Sequence, residues 1–321
     1  MRKFKQVLGV LTSVLLVFTL VACSNAEQVN SKNKGSKGKI TRTSKKVKTK
    51  GVGQIRTIFY QTAYQGKKYN YNKEAQVYLP AGFNNNEKHN ILYLLHGSTE
   101  VRNGQSTLLK DGNFKQLFNK LNNNGRLKNT IVVFPTYYPS ARFVTSNYYQ
   151  DNTLNRNFGK NELMNDLVPA VESHYRTYSN LKINSSALQK SRAHRAFGGF
   201  SMGSITTWYV FQYDFPYFRY YLPFAGDSWT VTSDGGTNAP RRTAQVLADE
   251  VRRYPNLKFK IMAGVGSGDG TSGSMEPQID AMKNLPQFNN NNLQYYVQDG
   301  GTHSAPTFNK VINYYAIQLF K

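Results

Sequence analysis

The chain has 321 residues, 39% of them hydrophobic, which is enough for one large core. Its formal net charge of +23 is partly an end effect: the first 53 residues carry twelve basic residues and one acid, leaving +12 on the remainder. That excess bears on solubility and attraction to polyanions rather than on fold, and a single cysteine excludes an internal disulfide.

Met1 to Lys5 is a short basic start, and Val7 to Ala22 is almost wholly apolar. The apolar run is too short and too abruptly ended for a membrane span, so residues 1–22 read as a signal peptide. Leu20-Val21-Ala22-Cys23 places small residues before the lone cysteine and resembles the lipobox of bacterial lipoproteins. The resemblance implies that Cys23 is lipidated, begins the mature chain and holds it to the outer side of the membrane. Residues 23–53 then form a linker with nine basic residues and one acid, Glu27. It has too little apolar surface to fold. It also lacks interleaved aromatics, so anionic lipid or wall polymer is the expected contact and nucleic acid is not.

From residue 54 to 321 a single domain is expected. Gln54 to Tyr60 and Glu74 to Leu79 read as strands around the turn-like Gln65-Gly66-Lys67-Lys68. Ile91 to Leu95 is a continuous apolar run of the kind buried on both faces of a sheet, and it ends in His96-Gly97-Ser98. Asn113 to Leu121 has helical spacing, and Thr130 to Phe134 is a second buried strand stopped by Pro135. An aromatic, polar loop from Tyr137 to Tyr149 follows. Asn161 to Tyr178 reads as an amphipathic helix with Leu163, Leu167, Val171 and Tyr175 on one stripe, and with Asp166, Glu172 and His174 as solvated or packing residues.

Gly199-Phe200-Ser201-Met202-Gly203 is a G-x-S-x-G pentapeptide between a short strand and a helix reaching about Tyr213. That is the context of a nucleophile elbow. Beyond it, strands at Tyr220 to Phe224, Lys258 to Ala263 and Leu293 to Val297 alternate with helices at Ala239 to Arg253, Glu276 to Asn284 and Ala305 to Phe320. The alternation predicts an α/β fold with a mainly parallel sheet and helices on both faces.

An elbow serine requires an acid and then a histidine later in the chain. His303 is the only histidine after Ser201, which makes it the base by elimination. Asp227 and Asp269 each follow a strand; Asp269, just before the histidine strand, is preferred and Asp227 is its rival. The backbone N–H groups of Ser98 and Met202 are the expected oxyanion donors. In this scheme Ser201 attacks an ester carbonyl, His303 moves the proton, and the acid fixes the imidazole tautomer. No metal-ligand cluster or dinucleotide loop is visible, so no metal or cofactor is expected.

Several separated motifs carry a resemblance over Gln54 to Lys321: G-F-S-M-G-S-I-T-T-W-Y-V from Gly199, L-P-F-A-G-D-S-W from Leu222, G-S-G-D from Gly266, M-E-P-Q-I-D-A-M-K-N-L-P-Q-F from Met275, and G-G-T-H from Gly300. The chain resembles the esterase D / antigen 85-like α/β-hydrolases, and within them the xylanase-associated feruloyl esterase modules of carbohydrate esterase family 1. The resemblance implies an α/β-hydrolase fold and hydrolysis of feruloyl or acetyl esters of carbohydrate. It also implies a triad acid at Asp269 and a substrate pocket lined by Asp227 and Trp229. Ser304-Ala305-Pro306 and Gly270-Thr271-Ser272-Gly273 are smaller than the family pattern where the acyl group packs. Two further readings are acyl transfer to an alcohol on the same triad and a non-catalytic surface protein that binds carbohydrate.

Overall fold

Short apolar runs buried on both sides require a layer of helices over each face of the sheet. A computed structural model describes residues 51–64 and 71–321; the signal segment, Cys23, the linker up to residue 50 and the turn at Gln65 to Lys68 lie outside them. Eight strands form one sheet: β1 (Gln54–Thr62), β2 (Tyr71–Leu79), β3 (Asn90–Leu95), β4 (Thr130–Phe134), β5 (Arg195–Phe200), β6 (Tyr220–Phe224), β7 (Lys260–Gly266) and β8 (Leu293–Gln298). Their spatial order is β1-β2-β4-β3-β5-β6-β7-β8. β1 with β2 and β2 with β4 are antiparallel, while every pairing from β4 to β8 is parallel. The fold is the expected α/β-hydrolase sheet, and the described residues form one unit.

Alternate residues of the central strands feed two cores. Tyr93, Val133, Phe197, Tyr221 and Ile261 belong to one; Leu92, Val132, Ala196, Tyr220 and Met262 belong to the other. The covering helices are α1 (Phe114–Asn123), α2 (a helical run over 152–174), α3 (Met202–Tyr213), α4 (Pro240–Arg253), α5 (Ser272–Lys283) and α6 (Ala305–Tyr315). Residue 95 of β3 stands opposite Gly199 of β5, which brings the loop after β3 against the elbow.

Several boundaries differ from expectation, three of them close to the site or to the sheet's parallel half. α2 begins nine residues earlier than predicted and runs as a π-helix over Phe158–Leu167. Pro169, just beyond, cannot donate to the carbonyl four residues back. β7 extends through Gly264-Val265-Gly266, glycines that read as loop but pair with Tyr296 to Gln298 of β8. α5 starts at Ser272 inside a Ser/Gly stretch.

Two ion pairs lie in the core. Lys73 Nζ meets Glu162 Oε1 at 2.5 Å, and Arg195 Nε meets Glu172 Oε1 at 2.6 Å, all four side chains at most 1% exposed. Glu172 is therefore not on a solvated face. Burial would raise its carboxyl, but Arg195, with Thr177 and Tyr93, outweighs burial and holds it below the usual range.

Candidate active site

Ser201 joins β5 to α3 with φ 54° and ψ −116°, a conformation that costs a non-glycine residue energy. The surroundings enforce it. Ser201 N–H donates to Phe224 O of β6 (2.9 Å), and Ser201 O accepts from Ser204 N–H (2.8 Å) and Ile205 N–H (3.2 Å). Both pattern glycines answer close approaches: a Cβ on Gly199 would lie 2.3 Å from Gly203 O, and one on Gly203 would lie 2.5 Å from Leu95 O.

The structure brings Ser201, His303 and Asp269 into one line. Ser201 Oγ lies 3.0 Å from His303 Nε2, and His303 Nδ1 lies 3.0 and 2.9 Å from the two oxygens of Asp269. Asp269, 2% exposed, also accepts at Oδ1 from Thr271 N–H (3.0 Å) and Thr271 Oγ1–H (2.7 Å). Burial alone would raise this carboxyl; the bonds from His303 and Thr271 outweigh it and hold Asp269 below the usual carboxylate range. With an ionised partner at Nδ1, the imidazole carries its proton there and turns an Nε2 lone pair to the Ser201 hydroxyl. The two loops are fastened backbone to backbone: Gly268 N–H donates to Gly301 O at 2.8 Å, and a Cβ on Gly266 would meet Gly301 C at 2.4 Å. The His303 ring rests on Phe200, with centroids 4.7 Å apart.

Asp227 has different partners. Its oxygens accept from Trp229 Nε1–H (3.1 Å) and Gly236 N–H (2.6 Å). It lies beside the site all the same, because a Cβ on the preceding Gly226 would fall 2.8 Å from Ser201 O. Trp229 is buried under the exposed Tyr149, whose ring stacks on it at 5.3 Å and 18°. Tyr148 stacks on Tyr149 in turn at 4.5 Å.

Met202 opens α3, so its N–H has no partner within the helix. Ser98 follows Gly97, where a Cβ would sit 2.9 Å from Ser201 Cβ. Sequence reasoning missed what secures this loop. His96, fully buried, donates from Nδ1 to Gly97 O (2.6 Å) and accepts at Nε2 from Thr136 Oγ1–H (2.8 Å). Burial, reinforced by Lys73, pushes His96 down to about 4, so the ring is neutral and this tautomer is fixed. Its face stacks on Tyr137 at 4.7 Å. In a planar trans peptide the Ser98 N–H points opposite to the Gly97 carbonyl, so the grip on that carbonyl also aims the N–H. Glu100 accepts from Gly97 N–H at 3.2 Å and steadies the other side. The His96-Gly97 pair was the available signal, but the Thr136 partner lies forty residues away. Among the described residues no cluster of His, Cys, Asp or Glu is arranged to hold a metal ion.

A family model described as "Putative esterase" matches residues 66–318. Endo-1,4-beta-xylanase Y of Acetivibrio thermocellus is 34% identical over 239 residues, 72% of this chain; the chain spans only 20% of that relative's length. Among solved structures, a serine-to-alanine mutant of the feruloyl esterase module from Clostridium thermocellum, complexed with sinapinate, is similar at a TM-score of 0.69. It is 31% identical, with 84% of this chain and 89% of the module covered. A ferulic acid esterase from Anaeromyces mucronatus shares the fold at a TM-score of 0.60 and 19% identity, covering 84% of this chain and 91% of that one.

Proposed function

The chain belongs to the esterase family, and from that premise we propose that it is a serine carboxylic-ester hydrolase removing feruloyl or acetyl groups from carbohydrate or small phenolic esters. The observation that carries the reading is the hydrogen-bonded line Asp269–His303–Ser201 at the carboxyl ends of β7, β8 and β5. Ser201 Oγ attacks the ester carbonyl carbon while His303 Nε2 takes the hydroxyl proton. The oxyanion is met by Ser98 and Met202 N–H, the groups that need no reorganisation as charge develops. Collapse breaks the bond to the alcohol oxygen, which leaves with the proton from Nε2. Water then attacks the acyl-serine, His303 again carries the proton, and the acid departs. Asp269 stays ionised throughout and stabilises the imidazolium.

The module complexed with sinapinate supports an aryl acyl group, and Asp227 and Trp229 would lie beneath the pocket that holds it. The small residues at Ser304-Ala305-Pro306 keep acetyl as the alternative. The His303 side chain is 39% exposed, so water reaches the base; this favours hydrolysis over transfer to an alcohol. The proposal extends to export through the signal peptide at 1–22 and anchorage by a lipid on Cys23, which the sequence pattern supports. Fatty-acid labelling that survives Cys23→Ser would overturn the anchor. The activity is tested with methyl ferulate, p-nitrophenyl acetate and acetylated xylan, using Ser201→Ala as blank. Loss of at least ~1,000-fold is expected on the preferred ester; a wild type no faster than the blank on all three sinks the esterase reading.

A further inference from the structure

The sheet has a second edge. A groove of about 700 Å³ opens at the amino ends of β6, β7 and β8, the opposite end from the triad. Strands of five to seven residues at ~3.3 Å each put about 20 Å between them. Arg219, Arg252, Lys258, Lys260 and Lys321 line it, and among the described residues no Asp or Glu does. Arg252 is paired with Asp249. Among the described residues no carboxylate pairs with Arg219, Lys258 or Lys260. Two of the cations act on each other: burial first, then the charge of Arg219, lowers Lys260, whose Nζ donates to Gln318 Oε1 at 2.6 Å. Between them lie amides, Asn256, Asn291 and Gln287, and the buried Gln287 Oε1 has no hydrogen-bond partner.

We propose that this groove is a binding site for an acidic oligosaccharide, its carboxylates meeting Arg219, Lys258 and Lys260 and its hydroxyls meeting the amides. Three features favour this ligand over other polyanions. The charges line a concavity that a flat bilayer surface cannot enter. The lining aromatics Tyr220 and Phe259 are buried, at 1% and 8%, so no face is offered for stacking nucleobases. Amides beside cations match the mixture of hydroxyl and carboxylate on a uronic-acid sugar. The site is independent of the ester chemistry. If the esterase acts on a polymer bearing such acids, the groove holds that polymer while the far edge works on its esters.

The test uses the full chain carrying Ser201→Ala, so that binding is read without turnover. Probes are oligogalacturonate, neutral xylo-oligosaccharide and phosphatidylglycerol vesicles. Arg219→Gln/Lys258→Gln/Lys260→Gln is compared with a control that removes three exposed charges elsewhere, Lys110→Gln/Lys115→Gln/Lys182→Gln. Oligogalacturonate affinity is expected to fall at least tenfold in the first and less than twofold in the control, with no measurable neutral-sugar binding. Arg219→Gln/Lys258→Gln, which keeps the Lys260–Gln318 bond, should show the same direction if the triple variant folds poorly. Hydrogen exchange should slow over 254–260 and 287–292 when the acidic sugar is added. Equal loss in variant and control, protection confined to other segments, or variant-sensitive binding of the vesicles alone would each overturn the proposal.

Discussion

Asp227 and Asp269 occupy equivalent places, each in a tight loop after one of two adjacent strands and each almost fully buried, at 3% and 2% exposure. Their electrostatics are opposite. Burial raises Asp227, and the bonds from Gly236 and Trp229 do not cancel it. Burial also acts on Asp269, yet the His303 and Thr271 bonds reverse the sign. Position at the carboxyl edge of a sheet therefore does not by itself hold a carboxyl below its usual range. What does is a donor able to carry positive charge, supplied by the next loop.

Neutralising each carboxylate in turn has the largest expected effect. In Asp269→Asn the amide can donate to Nδ1, which favours the tautomer with a proton on Nε2, facing Ser201 and unable to accept. We expect kcat to fall on the order of 10³–10⁴-fold. Asp227→Asn keeps one acceptor for Trp229 or Gly236 and should change kcat by less than about tenfold. Steady-state kinetics on p-nitrophenyl acetate decide it, and the reverse ranking would move the acid to Asp227.

His96 sharpens the lesson by showing burial unopposed by any anion. Its folded value of about 4 lies below the ordinary ~6.5, so between those pH values the unfolded chain binds a proton that the folded chain does not. Stability contributed by the neutral ring is complete above that window and declines by about 3 kcal/mol as pH falls through it. Asp151 works in the other direction. Burial raises it to about 6 against bonds from Tyr138 and Tyr137, so its protonation adds stability as pH falls through the same range. His96→Asn removes only the first effect. Urea unfolding at pH 7 and pH 4 should show the variant gaining on wild type by most of that amount; a constant difference would show that His96 is not held neutral.

The parts of this molecule legible in its sequence are those decided locally. Thr130–Phe134 and Tyr220–Phe224 are apolar runs with clear stops, and their bounds match. The elbow is legible from the spacing of its glycines, and Gly199 answers a demand within the turn, whereas Gly203 makes room for Leu95 O of β3. His303 stands out in the sequence by elimination, and folding sets its Nε2 3.0 Å from Ser201 Oγ. What stayed hidden depends on partners brought by folding. The Glu172 charge is explained by Arg195, 23 residues on. The difference between Asp227 and Asp269 rests on a histidine 34 residues further along. The basic groove is assembled from segments near residues 219, 255, 290 and 320, none of which is notable alone.

The finest test separates the two donors that hold Asp269. Thr271→Val deletes the hydroxyl bond of 2.7 Å and leaves the backbone N–H at 3.0 Å and His303 in place. Because the folded carboxyl is depressed, its bonds stabilise the protein above the ordinary carboxylate range, and that stability is lost as pH falls through the lowered value. Loss of one bond to a charged group at a partly exposed residue should cost about 1 kcal/mol at pH 7, shrinking toward zero once the pH falls below the lowered value and the carboxylate is protonated in both proteins. The effect on kcat should be a few-fold, since His303 keeps its partner and its tautomer. A cost that does not shrink in acid would mean that Thr271 supports the loop by packing, and His303 alone would then account for the contrast with Asp227.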